Sequence, residues 1–152
     1  MAVTSQLLWV GIPCIYYGDE AAIDGHTESD AGCRYPMPWG HFSERGERHL
    51  SLIKKMTELR RSVPAFAKGG RMVLYARGRI LAIARFYEEE AYLGILSMEE
   101  EETTISLPLC LIGKTAPAGD LDLFGAPVHW KEGEESVEFR LAPRDSLLFA
   151  CR

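Results

Sequence analysis

Several features that would assign this chain to a common class of protein are missing. It has no apolar run long enough to cross a membrane. It shows no basic stretch followed by an apolar core, so no signal peptide is predicted. Acidic residues outnumber basic ones by 22 to 17, and the net charge of −5 argues against nucleic acid and anionic membranes as partners. We therefore expect neither a nucleic-acid partner nor a membrane partner.

Metal-binding and nucleophile motifs are also missing. The four cysteines contain no C-x-x-C pair, the four histidines have no H-x-x-x-H spacing, and no G-x-S-x-G motif is present. We therefore predict no metal site and no cofactor, and we expect free thiols in a reducing cytoplasm. Cys14 lies in an apolar run, where we expect it to be buried as a small hydrophobic side chain.

The most informative stretch is a short apolar run between glycines. The run covers residues 11–17, and Gly18 closes it before Asp19 and Glu20. A run this short predicts a strand buried on both faces, which is typical of a parallel sheet covered by helices. Sequence neighbours at a strand end point to opposite faces. We therefore expect the two carboxylates to hydrogen-bond the backbone rather than to flank one reacting bond.

A helix is predicted over residues 43–62, after a long loop over residues 18–42. Ser43 can cap its N-terminus, acidic residues occupy its first turn, and Pro64 ends it. The sequence Lys-Gly-Gly at residues 68–70 then marks a domain boundary.

The chain after that boundary has strand character. About eight short apolar or alternating runs, separated by turn signals, predict an antiparallel β-sandwich. The predicted strands are residues 72–76, 80–86, 91–98, 103–107, 121–124, 128–130, 136–141 and 146–151.

Three stretches resemble segments of one enzyme family. Residues 11–20 match G-(I/V)-P-x-(I/L)-Y-Y-G-x-E, the last barrel strand of the α-amylase family, glycoside hydrolase family 13. Residues 30–39 resemble the D-P-x-x-R-x-P-(M/F)-x-W loop of neopullulanases, cyclomaltodextrinases and oligo-1,6-glucosidases, with Ala31 replacing the first proline. Residues 59–65 match the family's L-R-x-x-x-P-A. The chain thus resembles the C-terminal part of such an enzyme.

The resemblance implies a mainly β fold. An antiparallel Greek-key β-sandwich, the family's domain C, would follow the last strand and helix of a (β/α)₈ barrel. A whole barrel needs about 250 residues, which exceeds the 152 present. We expect residues 1–68 to be a C-terminal barrel fragment and residues 69–152 to be the sandwich. The lone barrel strand would have unpaired edges. It could pack on the sandwich, pair with a second copy, or complete the barrel of another chain.

The family hydrolyses α-glucosidic bonds with retention, using carboxylates that lie upstream of the matched segment. The resemblance therefore implies no catalytic residue here and no activity of this chain alone. The parent enzyme's substrate would be maltooligosaccharides or related α-glucans. Asp30 and Arg34 match loop residues that contact sugar in the family, with a plain salt bridge as the alternative. A glucan-binding or accessory module and a remnant of a truncated gene are the other interpretations.

Overall fold

The computed structural model describes residues 1–25, 32 and 34–152. Within those residues the helices come first: α1 Ala2–Leu8, α2 Glu44–Ser62 and α3 Pro64–Ala67. The strands follow: β1 Gly70–Arg77, β2 Ile80–Tyr87, β3 Glu90–Ser97, β4 Thr103–Leu107, β5 His129–Glu132, β6 Val137–Leu141 and β7 Ser146–Cys151. A short 3₁₀ helix, Leu109–Ile112, lies between β4 and β5. None of the described helices is long and apolar enough to cross a membrane.

The strands form two antiparallel sheets, which confirms the predicted sandwich. One sheet has the order β1-β2-β3-β7 and the other β4-β6-β5. The chain leaves the first sheet after β3 and returns as β7 beside it, while β4 pairs with β6. The chain therefore crosses from the first sheet to the second after β3 and back again after β6. The facing side chains form the main core, in which the rings of Phe139 and Phe149 stack at 5.5 Å between centroids.

Residues 121–124, predicted to form a strand, form a turn instead. The Asp122 carboxylate accepts backbone N–H groups from Phe124 and Ala126, both at 2.8 Å. Side-chain bonding of this kind offers the backbone an alternative to a strand ladder. The alternation that predicted a strand is therefore overridden by the aspartate.

A second, smaller core lies between the helices and the other face of the first sheet. Ser43 caps α2 as predicted, since its Oγ accepts the Gly46 N–H at 3.1 Å. The helix then buries an apolar side against α1 and α3. The buried members of this second core are Val3, Leu7, Leu8, Ile53, Met56, Phe66 and Leu148.

No strand forms over residues 11–17, which corrects the prediction for that segment. A ladder requires a neighbouring strand, and no described residue supplies one. The burial nevertheless alternates as it would in a strand. Ile15 is half-buried against the second core, whereas Ile12, Cys14 and Tyr16 are exposed. The run has one covered face and one open face.

The cysteines differ in their surroundings. Cys14 is exposed, contrary to the predicted burial, because it lies on the open face of the run. Cys151 is buried in the main core, and this burial raises the pKa of its thiol to about 12. The described cysteines, Cys14, Cys110 and Cys151, are free thiols, and Cys33 lies outside the described residues.

This difference predicts selective labelling. At about pH 7.5, a thiol reagent should modify Cys14 and Cys110 in the native protein and Cys151 only after unfolding, because the exposed thiolate is the reactive species. Peptide mass spectrometry locates the label. Native labelling of Cys151 as fast as that of Cys14 would contradict the burial.

One buried arginine joins the helical part to the sandwich. Arg85 of β2 is only 1% exposed, and its guanidinium donates hydrogen bonds of 2.8–3.3 Å to five backbone carbonyls. The acceptors lie at the end of α1, in and after α3, and at the start of β1: Leu8, Trp9, Phe66, Gly69 and Gly70. Arg85 thereby fixes the backbone just before the apolar run.

Candidate functional site

The candidate site begins with the turn that follows the apolar run. Asp19 Oδ2 accepts the Tyr16 N–H at 3.1 Å, and Glu20 Oε2 accepts the Gly18 N–H at 2.9 Å. This confirms that both carboxylates bond to the backbone, as predicted. Their role in this structure is to shape the turn.

Helix α2 holds this turn in place. A Cβ at Gly46 would lie 2.6 Å from the Ala21 carbonyl oxygen, so the helix approaches the turn more closely than alanine would permit. Arg45 also pairs with Asp24 at 3.2 Å. Both of these side chains are largely exposed, so the pair contributes little, and the close packing at Gly46 is the stronger constraint.

Arg60, on the same helix, fixes the start of the apolar run. Its guanidinium donates to the carbonyls of Leu7 at 2.6 Å and Trp9 at 2.9 Å, and also to the carbonyl of Gly11. Desolvation by burial lowers the pKa of Arg60. No local sequence pattern indicates this role, because the bonds join residues about fifty positions apart.

The loop after the turn contains the predicted sugar-contact residues. Arg34 is exposed and makes no hydrogen bond or ion pair with a described residue. Asp30, its predicted companion, lies outside the described residues. Two aromatic side chains of the loop are exposed, Tyr35 at 43% and Trp39 at 77%. A guanidinium gives planar, multidentate hydrogen bonding, and exposed rings offer apolar faces, so this loop is chemically suited to a hydroxyl-rich ligand.

Other surfaces are weaker candidates. The described residues contain no group of three or more metal-binding side chains. A groove on the second sheet contains charges that neutralise one another, since Lys131 pairs with Glu138 and Arg140 with Glu102, each at 2.7 Å. The hydrogen bond from Arg140 lowers the pKa of Glu102. This groove is lined by Thr104, His129, Trp130, Lys131, Glu138 and Arg140.

Known enzymes match the sequence, although no family model does. The cyclomaltodextrinase of Thermoanaerobacter pseudethanolicus is 32% identical over 107 residues, which cover 70% of this chain and 18% of that protein. Neopullulanase 2 of Thermoactinomyces vulgaris is 28% identical over 143 residues, which cover 92% of this chain and 23% of that protein. The chain therefore spans less than a quarter of the length of these two relatives.

Solved structures match the fold. The α-amylase of Geobacillus thermoleovorans superposes with a TM-score of 0.78 at 22% identity, covering 99% of this chain and 32% of that one. A cyclomaltodextrinase superposes with a TM-score of 0.77 at 24% identity, covering 99% of this chain and 25% of that one. At these identities the structures show the fold alone.

The sequence matches define the class, which is that of the α-amylase-family glycoside hydrolases, and this chain belongs to it. Within the family it corresponds to the C-terminal part of enzymes similar to cyclomaltodextrinases and neopullulanases.

Proposed function

We propose that this chain is the C-terminal portion of a retaining α-glucoside hydrolase that acts on maltooligosaccharides or related α-glucans. The observation that carries the proposal is the 32% identity over 107 residues to a cyclomaltodextrinase. Retaining hydrolysis needs a carboxylate nucleophile and a carboxyl acid. The family resemblance puts both upstream of the matched segment, so the chain alone is inactive.

Within this proposal, residues 1–68 are the last strand and helix of a barrel and residues 69–152 are domain C. The alternating burial of residues 12–16 supports a strand whose partners are supplied from elsewhere. The bonds from Arg85 to the end of α1 support a rigid connection between the two parts. The free thiols are consistent with a reducing cytoplasm.

Arg34, with Asp30, contacts sugar in the complete enzyme. The exposed guanidinium and the exposed rings of Tyr35 and Trp39 support this role. A charged hydrogen-bond donor to a hydroxyl group is worth about 1.5–3 kcal/mol when its partner is fixed. Arg34 therefore contributes to substrate binding without taking part in bond cleavage.

Fusion to a relative tests the proposal. The cyclomaltodextrinase of Thermoanaerobacter pseudethanolicus is shortened so that it ends before the region that matches this chain. The shortened enzyme should hydrolyse maltooligosaccharides only when this chain is fused to it in place of that region. The chain alone should release no reducing sugar. Arg34→Ala in the fusion should lower kcat/KM by about tenfold or more, the loss expected for one charged hydrogen bond.

Arg61→Ala is the matched control, since Arg61 is also an exposed arginine but lies at the end of α2. It should leave kcat/KM unchanged. Hydrolysis by the pure chain would refute the proposed inactivity. An active fusion that is insensitive to Arg34→Ala would leave the family role intact and remove the sugar contact.

A further inference from the structure

The loop over residues 18–42, which contains Arg34, meets helix α2 at Gly46. A Cβ at Gly46 would lie 2.6 Å from the Ala21 carbonyl oxygen, near the start of the loop. It would also lie 3.4 Å from the Cβ of Phe42, the last residue of the loop. Gly46 is buried by these contacts. The two ends of the loop therefore converge on one glycine in the first turn of α2.

The start of the loop is a closed turn that cannot easily yield to a larger side chain. The N–H groups of Ala21 and Ile23 both donate to the Gly18 carbonyl, at 3.1 and 3.0 Å. Ala22 has a φ of 51°, in the left-handed region that residues other than glycine rarely adopt. The Ala21 carbonyl is thus held within this turn. A methyl group at Gly46 would have to move the helix and the turn apart.

The end of the loop connects Arg34 to the same glycine. Two tight turns lie between Arg34 and Phe42, each closed by one backbone hydrogen bond. These bonds measure 2.9 and 3.0 Å and run from the N–H of Trp39 to the carbonyl of Met37 and from the N–H of His41 to the carbonyl of Pro38. Ser43 follows, and its Oγ accepts the Gly46 N–H at 3.1 Å. A shift of Phe42 would therefore reach Arg34 through a short, folded stretch of backbone.

We propose that Gly46 is a positioning residue for substrate binding, which fixes the place of the Arg34 guanidinium by holding both ends of its loop. This inference rests on the proposed function, since it gives the cause of the sugar contact made by Arg34. Gly46 acts through Arg34, because it has no side chain and is itself buried against the loop. Displacing a substrate-positioning group by about 1 Å can cost about a hundredfold in rate.

Kinetics of the fusion with the shortened cyclomaltodextrinase test this role. Gly46→Ala should raise KM for maltooligosaccharides by about tenfold, the loss expected for Arg34→Ala, and leave kcat unchanged. This pattern is expected when a variant loses an interaction that the substrate and the transition state make equally. In the Arg34→Ala background, Gly46→Ala should have no further effect on KM, because the positioned side chain is already absent. A general loss of stability would act equally in both backgrounds.

Gly133→Ala is the matched control, and Ser43→Ala is a milder second variant. A Cβ at Gly133 would lie 2.9 Å from the Ser136 carbonyl oxygen, so alanine there also meets a backbone oxygen, but between β5 and β6. It should leave KM unchanged. Ser43→Ala adds no atom and removes only the oxygen that accepts the Gly46 N–H. It should raise KM by a smaller factor, and again only when Arg34 is present.

Trypsin provides a test without substrate on the chain alone. The bond after Arg34 should be cut faster in Gly46→Ala than in the wild-type chain, by about fivefold or more, because cleavage follows how often the loop leaves helix α2. Gly133→Ala should leave this rate unchanged. Mass spectrometry of the fragments identifies the bond that is cut.

Equal rates of cleavage after Arg34 in Gly46→Ala and Gly133→Ala overturn the positioning role. So does a fall in kcat at constant KM, or a rise in KM that is equally large in the Arg34→Ala background. If Gly46→Ala does not fold, an unchanged KM in Ser43→Ala overturns it. An unmutated fusion that hydrolyses no maltooligosaccharide overturns the proposed function instead, and the trypsin result still decides whether Gly46 holds the loop.

Discussion

Arg85→Met is expected to lower the free energy of unfolding by about 3–5 kcal/mol, because several buried carbonyl groups lose their charged hydrogen-bond donor. Methionine fills much of the same space but donates no hydrogen bond. The carbonyls of Leu8, Phe66 and Gly69 would then face a buried apolar side chain. Each buried acceptor left without a donor costs about 1–3 kcal/mol.

The effect is large because Arg85 is compensated only by peptide groups among the described residues. Burial lowers its pKa, and the nearby positive charges of Arg60 and Arg71 lower it further. Five carbonyls at the ends of short helices and at the start of β1 stabilise the cation instead. Carbonyl groups at a helix C-terminus carry partial negative charge, which favours a cation there.

Urea denaturation followed by circular dichroism measures this loss. Arg85→Lys is the informative comparison, since lysine keeps the charge but has three donors on one nitrogen and cannot reach carbonyls from three segments. It should recover only part of the stability. Arg79→Met is the matched control, because the Arg79 side chain is exposed and its guanidinium lies 3.9 Å from the Glu100 carboxylate. A loss for Arg85→Met no larger than for Arg79→Met would contradict the buried role.

Much of the fold could be predicted because its signals are local. Ser43, the acidic first turn and Pro64 predicted α2 to within one residue of its observed start. Alternating residues predicted β6, where Val137, Phe139 and Leu141 are buried. These features depend on neighbours a few positions apart, so short stretches of sequence contain them.

The features that were missed depend on distant parts of the chain. The apolar run over residues 11–17 has the composition of a strand. A strand forms only beside another strand, and none of the described strands lies beside this run. The sequence places Arg85 in a predicted strand, and nothing near it in sequence indicates that its side chain hydrogen-bonds to α1 and α3. Of the two predicted sugar-contact residues, the structure describes only one. Arg34 is exposed in its loop, whereas the geometry of its companion, Asp30, lies outside the described residues.

Gly69→Ala should lower the free energy of unfolding by about 3 kcal/mol, a loss comparable with that expected for Arg85→Met. This is the upper end of the cost of inserting a methyl group into a packed site. A Cβ at this position would lie 2.4 Å from the carbonyl oxygens of both Ala65 and Phe86. Both are backbone atoms of α3 and β2, so neither can move aside as the end of a flexible side chain would. Relief would require separating the helix from the sheet.

That separation would also disturb the hydrogen bonds by which Arg85 joins the helical part to the sandwich. The Gly69 carbonyl accepts the Arg85 guanidinium at 3.1 Å, and the Gly69 N–H donates to Pro64 at 3.1 Å. Gly69→Ala and Arg85→Met should therefore destabilise less in combination than the sum of their separate effects, as for residues that share one set of contacts. A double-mutant cycle in urea measures this coupling.

Gly119→Ala is the matched control for Gly69→Ala. No atom lies within 4 Å of a Cβ at Gly119, so alanine there should be neutral or stabilise by about 0.4–1 kcal/mol through the unfolded state. Equal free energies of unfolding for the two variants would contradict the tight packing at Gly69. Full additivity of Gly69→Ala and Arg85→Met would show instead that the packing at Gly69 and the hydrogen bonds of Arg85 stabilise the contact between helices and sheet independently.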